Sequence, residues 1–280
     1  MLELRAPKRG TKFVVHHDRL ALFHDTREAK RYWSQYWLSD QAIKQLDLAT
    51  SGTLDPGFDA VLRMLEQYGS PGMRILEGGC GLGHVVAALQ HRGYRAVGVD
   101  YVPELIAFAT ERLPGLDLRV GDVEQLPFED GAFDCYASLG VIEHFEQGPE
   151  KAIADGQRIV RPGGIAIFEV PYLNALRERE LARLRRHAAG HDGLAFHQYY
   201  YSIEELTGLF ENYGFTVVEQ VPNCWESVVF REHPIVAPFW SSRLAISRVR
   251  DPIRTVVRGL PAIAQRRYAH TMVFACRRDA

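Results

Sequence analysis

From Arg74 onward the chain alternates between two hydrophobic periods. Short apolar runs bounded by glycine, proline or acid occur at Ile75–Leu76, Ala96–Val99, Leu116–Val120, Phe133–Ser138, Ile165–Val170, Phe215–Val221 and about His270–Arg277. Between the earlier runs, apolar residues recur three and four positions apart. That spacing predicts helices over Phe58–Tyr68, Val85–Leu89, Pro103 to about Arg112, Lys151–Val160 and Ser202–Tyr213. Pro103 suits a first helical position, and the S-x-E-E that begins at Ser202 is a capping signature. Strands that alternate with helices in this way make an α/β fold with a doubly wound, mostly parallel sheet, here of seven strands.

Upstream the pattern changes. Residues 1–20 are basic and irregular, and from Thr26 to Leu48 the spacing becomes helical. Tyr32, Trp33, Tyr36 and Trp37 fall on one broad helix face, fitted either to dock a leading helix or to form a lid. The turn-rich stretch Gly52–Gly57 then divides an N-terminal helical extension, residues 1–57, from a main domain, residues 58–280. Two segments exceed what that domain needs, 171–201 and 222–268, and the second is a helical insertion before the last strand.

The chemistry gathers after the first run. Glu77-Gly78-Gly79-Cys80-Gly81-Leu82-Gly83 joins a strand to a helix, so bare backbone can approach a ligand at the helix N-terminus. The E-x-G-x-G-x-G spacing differs from the G-x-G-x-x-G of a dinucleotide site and argues against a nicotinamide-dependent oxidoreductase. An acid at that position repels pyrophosphate but accepts hydrogen bonds from an ammonium group. Three successive strands end in acids, Glu77, Asp100 and Asp122, at spacings of 23 and 22 residues. Ligands of such sheets bind at the carboxyl ends of the strands, near the reversal of strand order.

Composition narrows the setting. No run of about 18 apolar residues exists to span a membrane, and Met1–Arg5 lacks the apolar stretch of a secretory signal. Cys80, Cys135, Cys224 and Cys276 are dispersed, with no C-x-x-C pair, so neither zinc nor a disulfide framework is indicated and a cytoplasmic location fits best. Within a net charge of −2, residues 222–280 carry ten arginines against four acids. Such a basic section suits an anionic substrate, lipid headgroups or a solvated face.

The glycine motif resembles motif I of the class I S-adenosylmethionine (SAM) methyltransferases. Asp122 to Phe128 with Phe133-Asp134, Ile142-Glu143-His144-Phe145, Arg158 to Gly164 and Tyr201 to Leu206 resemble the broad small-molecule group of that family, the type 11 and type 12-like enzymes. The resemblance covers about residues 58–221 and the last strand. It implies a Rossmann-like fold and SAM as cofactor. Gly79, Gly81 and Gly83 would keep side chains away from its methionine and ribose portions, and Glu77 would support the amino-acid end. Asp100 would accept both ribose hydroxyls and Tyr101 would stack beside adenine. Asp122 would accept from the exocyclic amine, the Val123 amide would donate to a ring nitrogen, and the Ser138 or Leu139 carbonyl would hold the ammonium.

The expected activity is methyl transfer to an oxygen or nitrogen of a small-molecule acceptor, with no nucleic acid as partner, since N-P-P-Y and P-C motifs are absent. A non-catalytic SAM-fold scaffold is the alternative. If a general base is needed, His144 and His197 are the candidates, and no metal is expected. In 222–268, apolar residues at helical spacing interleave with Arg243, Arg250, Arg254 and Arg258. That suits packing, a lid, a dimer contact or a peripheral membrane helix near 243–260, and an acceptor that is anionic or partly apolar.

Overall fold

A computed structural model describes residues 11–25, 32–186, 193–224 and 267–280. The described elements are strands β1 (Thr11–His16), β2 (Arg19–Asp25), β3 (Arg74–Gly78), β4 (Arg95–Asp100), β5 (Asp117–Val120), β6 (Phe133–Leu139), β7 (Val160–Pro171), β8 (Leu194–Tyr200), β9 (Phe215–Asn223) and β10 (Thr271–Arg278). The helices are α1 (Tyr32–Trp37), α2 (Asp40–Ala49), α3 (Asp59–Tyr68), α4 (His84–His91), α5 (Pro103–Arg112), α6 (Glu150–Ile159), α7 (Ala175–Arg186) and α8 (Ile203–Asn212). They divide between two compact units, one built on a seven-stranded sheet and one on a three-stranded sheet.

The seven-stranded sheet runs β5-β4-β3-β6-β7-β10-β9, and β5, β4, β3, β6 and β7 pair in parallel. The central strands read as continuous apolar runs because helices cover both faces. On one face, Phe168 stacks on Phe210 at 4.5 Å between ring centroids, with Phe215 and Phe274 completing the cluster. On the other, Leu46, Leu82, Leu105 and Ala109 are buried together. From β3 the order proceeds outward in both directions, so the reversal lies between β3 and β6. The expected doubly wound fold is therefore present. Its stretch Arg161-Pro162-Gly163-Gly164, expected to be the break between helix and strand, lies within β7 instead. The register against β6 shifts there, with Phe133 opposite Val160 but Cys135 opposite Ile165.

The Leu126-Pro127-Phe128 stretch is held by two side chains of α6. Arg158 donates to the carbonyls of Leu126 and Phe128 at 3.0 and 2.7 Å, while Asp155 accepts from the Leu126 amide.

The N-terminal residues depart from expectation. Instead of an irregular arm, residues 11–25 form an antiparallel hairpin whose β2 pairs in turn with β8. Phe13 and Val15, with Leu20 and Leu22, pack with Tyr200 against Leu181 and Leu184 of α7, while the intervening Val14 and Ala21 are also buried. The turn is His17-Asp18, both at positive φ (45° and 61°). Sequence gave no cue because this turn type is normally signalled by Asn-Gly or Asp-Gly. The strand β8 within 171–201 was likewise missed. Arg177 of α7 is fully buried; it donates to the carbonyls of Tyr172 and His270 at 2.7 and 2.9 Å and lies 4.2 Å over the Tyr200 ring. Those carbonyls and the ring face replace the water that its charge has lost.

The helix expected over Thr26–Leu48 is two helices where it is described. It breaks after Trp37, and Ser39 caps α2 by accepting from the Ala42 amide. Residues 225–266 lie outside the described residues, and with them the expected helix near 243–260. No described helix is long and apolar enough to cross a membrane.

Gly156, inside α6, tests the packing. Alanine there would add up to about 1 kcal/mol of helix propensity. Its Cβ, however, would meet the fully buried Tyr136 ring at 2.6 Å. Overpacking of this kind costs roughly 1–3 kcal/mol. Gly156→Ala is therefore expected to be net destabilised in urea denaturation, and a variant more stable than wild type would show that the ring yields.

Candidate functional site

The glycine loop is shaped by its backbone and pinned by an acid. Gly79, Gly81 and Gly83 stand at φ +73°, +54° and +77°, a region that favours glycine. A Cβ at each would collide, respectively, with Val141, the Trp37 ring and Leu118. The bare positions thus also admit close packing by other parts of the protein. The amides of Gly79 and Cys80 donate to the Val99 carbonyl at 2.7 and 3.0 Å. The Gly81 amide donates to one carboxylate oxygen of Asp100 and the Val102 amide to the other, both at 2.9 Å. One buried side chain therefore fixes the loop and the entry to α5 together.

Register aligns the acids. Glu77 is opposite Gly98 and Ala137, and Leu139 is opposite Glu169, so the side chains of Glu77, Asp100 and Glu169 emerge on the same face at the carboxyl edge. Glu77 is 5% exposed, and its Oε2 has no hydrogen-bond partner among the described residues. Burial pushes its carboxyl up to about 8; the Val86 amide opposes that and the charge of Asp100 adds to it. Burial also raises the Asp100 carboxyl, against the amides of Val102, Gly81 and Tyr101.

The other expected cofactor residues lie in this unit. Tyr101 is 62% exposed beside Asp100. Past β5, Asp122 accepts from the Glu124 amide at 2.9 Å, and Val123 is buried. Leu139 closes β6, where the Gly140 amide donates to the Glu169 carbonyl at 2.8 Å.

The two histidine candidates are in different units. His144 follows β6, its Nε2 3.7 Å from Glu143 Oε1 and its ring edge-on to Trp33 at 4.8 Å. His197 lies in β8, its ring edge-on to that of His24 at 4.0 Å. Three residues of the seven-stranded unit escaped sequence reading. His84 donates from Nε2 to the Ala42 carbonyl (2.8 Å) beside the Trp37 ring, and burial lowers its pKa. Glu143 is 2% exposed, its Oε2 lacks a partner among the described residues, and burial followed by the charge of Glu169 raises its carboxyl to about 8. Glu169 had a legible signal: it closes an apolar strand as Glu77 does.

A family profile described as a methyltransferase domain matches residues 76–168. A probable S-adenosylmethionine-dependent methyltransferase of Mycolicibacterium smegmatis is 29% identical over 146 residues, covering 52% of this chain and 53% of that protein. Residues 76–168 are a class I SAM-dependent methyltransferase domain. A malonyl-[acyl-carrier protein] O-methyltransferase of Serratia marcescens is 34% identical to the chain over 109 residues, 39% of this chain and 42% of the relative. The chain thus spans about half or less of the length of these relatives. Among solved structures, the putative methyltransferase of Haloferax volcanii, in complex with the Trm112 activator, superimposes with a TM-score of 0.57. It is 19% identical, covers 88% of this chain and is itself 97% covered, a likeness of fold.

The domain's residues fit its cofactor. SAM is cationic at sulfur and at its ammonium and bears two ribose hydroxyls. A buried carboxyl with an unfilled acceptor, beside a second acid with lone pairs to spare, matches that chemistry.

The two raised carboxyls make stability depend on pH. Folded, Glu77 and Glu143 keep their protons to about pH 8, against an ordinary glutamate value of 4.5. Between those values the folded chain binds more protons than the unfolded one, so stability falls as pH rises. Without cofactor, the melting temperature measured by scanning calorimetry should decline across this window. Glu77→Gln and Glu143→Gln should each flatten the decline; an unchanged slope in both would contradict the assignment.

Proposed function

We propose that the chain transfers a methyl group from SAM to an oxygen or nitrogen of a small-molecule acceptor. The observation that carries this reading is the buried Glu77 carboxyl, its Oε2 without a partner among the described residues, beside Asp100 at the reversal of strand order. In it, Asp100 accepts the ribose hydroxyls while its lone pairs keep the Gly81 and Val102 amides. Tyr101 flanks the adenine, Asp122 and the Val123 amide read its edge, and Glu77 and the Leu139 carbonyl face the amino-acid end. The cofactor supplies a methyl group on sulfonium sulfur, an excellent leaving group. The protein's task is then mainly to align the acceptor and exclude water, so proximity provides most of the acceleration.

Where the acceptor loses a proton, His144 takes it. That choice is supported by its place in the unit that carries the cofactor residues and by the Glu143 carboxyl beside it. Acceptor selection is assigned to segments 171–201 and 222–268, which exceed a minimal domain. The arginines of the second suit an acceptor with an anionic or partly apolar body.

Asp100→Ala should weaken SAM binding by roughly 2–4 kcal/mol, the scale of two charge-assisted hydrogen bonds. It should also lower thermal stability, since the Gly81 and Val102 amides lose their acceptor. Titration calorimetry showing wild-type affinity would remove Asp100 from the site. His144→Ala should bind SAM normally and lose turnover about a hundredfold. An unchanged single-turnover rate would leave alignment alone as the source of catalysis.

A further inference from the structure

Glu143 is not needed to hold the cofactor, yet it is a buried carboxyl with an unfilled acceptor atom. Among the described residues, its titratable neighbours include Glu169 and His144. The carboxyl sits just past β6, where a Cβ on Gly140 would lie 3.6 Å from its Oε1. Glu169 projects from the adjacent strand on the face that also bears Glu77 and Asp100. The edge of the sheet beyond the cofactor residues is therefore lined by acid. Trp33 adds an aromatic ring against His144, the partly exposed member of the group at 19%.

This lining discriminates by charge. A carboxylate or phosphate brought to Glu143 and Glu169 would find no counter-charge and would repel either carboxyl once ionised, in a dry setting where repulsion is least screened. An ammonium group would fill the Glu143 acceptor and meet a neighbouring aromatic ring, both favourable to a cation. Resting on the methyltransferase reading above, we propose that the acceptor's reacting group is an amine, recognised as its ammonium form by Glu143 and Glu169.

The chemistry balances with the groups present. The ammonium gives one proton to the His144 ring, and the adjacent Glu143 carboxyl, ionised once the cation is bound, stabilises the imidazolium so formed. The freed nitrogen lone pair forms the bond to the methyl carbon as the carbon–sulfur bond breaks, and that bonding pair stays on sulfur. The methylated nitrogen then carries the positive charge that the sulfonium has lost.

The test uses the full chain saturated with S-adenosylhomocysteine. A library of primary and secondary amines that includes butylamine, phenethylamine and spermidine is titrated by calorimetry, each beside its alcohol and carboxylate counterparts such as butanol, butyrate and hydrocinnamate. At least one amine should bind in preference to both counterparts. Glu143→Gln and Glu169→Gln should each reduce amine affinity about tenfold or more and narrow the amine-to-alcohol preference, leaving S-adenosylhomocysteine affinity intact. A merely structural carboxyl would not move that preference. The proposal is overturned if carboxylates bind better than amines, if no amine binds, or if the preference is unchanged in both variants. Failure of the wild-type chain to bind S-adenosylhomocysteine would instead overturn the methyltransferase reading.

Discussion

The site depends on one carboxylate that has been taken out of water. Asp100 accepts from the Gly81 amide with one oxygen and from the Val102 amide with the other. Burial disfavours its charge, and the amides oppose that in part. The glycine loop, the end of β4 and the first turn of α5 are thereby tied to one group. Because the loop turns on glycines, which have the most conformations open to them and lose the most freedom on folding, it needs that anchor. The same side chain retains lone pairs for a ligand, so the anchor and the proposed ribose contact are a single feature.

Around this anchor the sheet collects acids at an energetic cost. Glu77 and Glu143 are held well above the ordinary glutamate range, chiefly by burial. Buried carboxyls with one acceptor oxygen unfilled among the described residues oppose folding as pH rises, so packing alone does not account for them. A cation bound beside each would relieve that cost. Glu77 stands with the proposed cofactor contacts, whereas Glu143 stands with His144, Trp33 and the neighbouring Glu169. The two halves of a transfer reaction would thus be distinguished by which buried acid each ligand neutralises.

The short helix α1 connects these halves physically. Trp37 lies against Gly81 and His84, and Trp33 lies against His144. Their four-residue separation, one helical turn, lets six residues reach both the glycine loop and the turn after β6. The space left by the missing Gly81 side chain is what admits Trp37. The loop's composition therefore reflects packing by α1 together with the approach of a ligand.

Much of the seven-stranded unit was legible in the chain. Continuous apolar runs alternating with helical periods determined a parallel sheet, because strands buried on both faces leave no polar alternation. The acids ending successive runs marked the carboxyl edge, since a strand's direction alone sets which end faces a ligand. Local cues also located the helix starts at Pro103 and Ile203 to within a residue. The hairpin at 11–25 was not legible: its turn, His17-Asp18, carries none of the usual residues, and its outer partner β8 lies about 170 positions away. Nor could the chain reveal that Glu143 is buried and unfilled, that Glu169 shares the face of Glu77, or that Trp37 occupies the space beside Gly81. Burial and strand register are properties of the assembled sheet, in which residues far apart in sequence come to share one dry edge, and only the tertiary structure decided them.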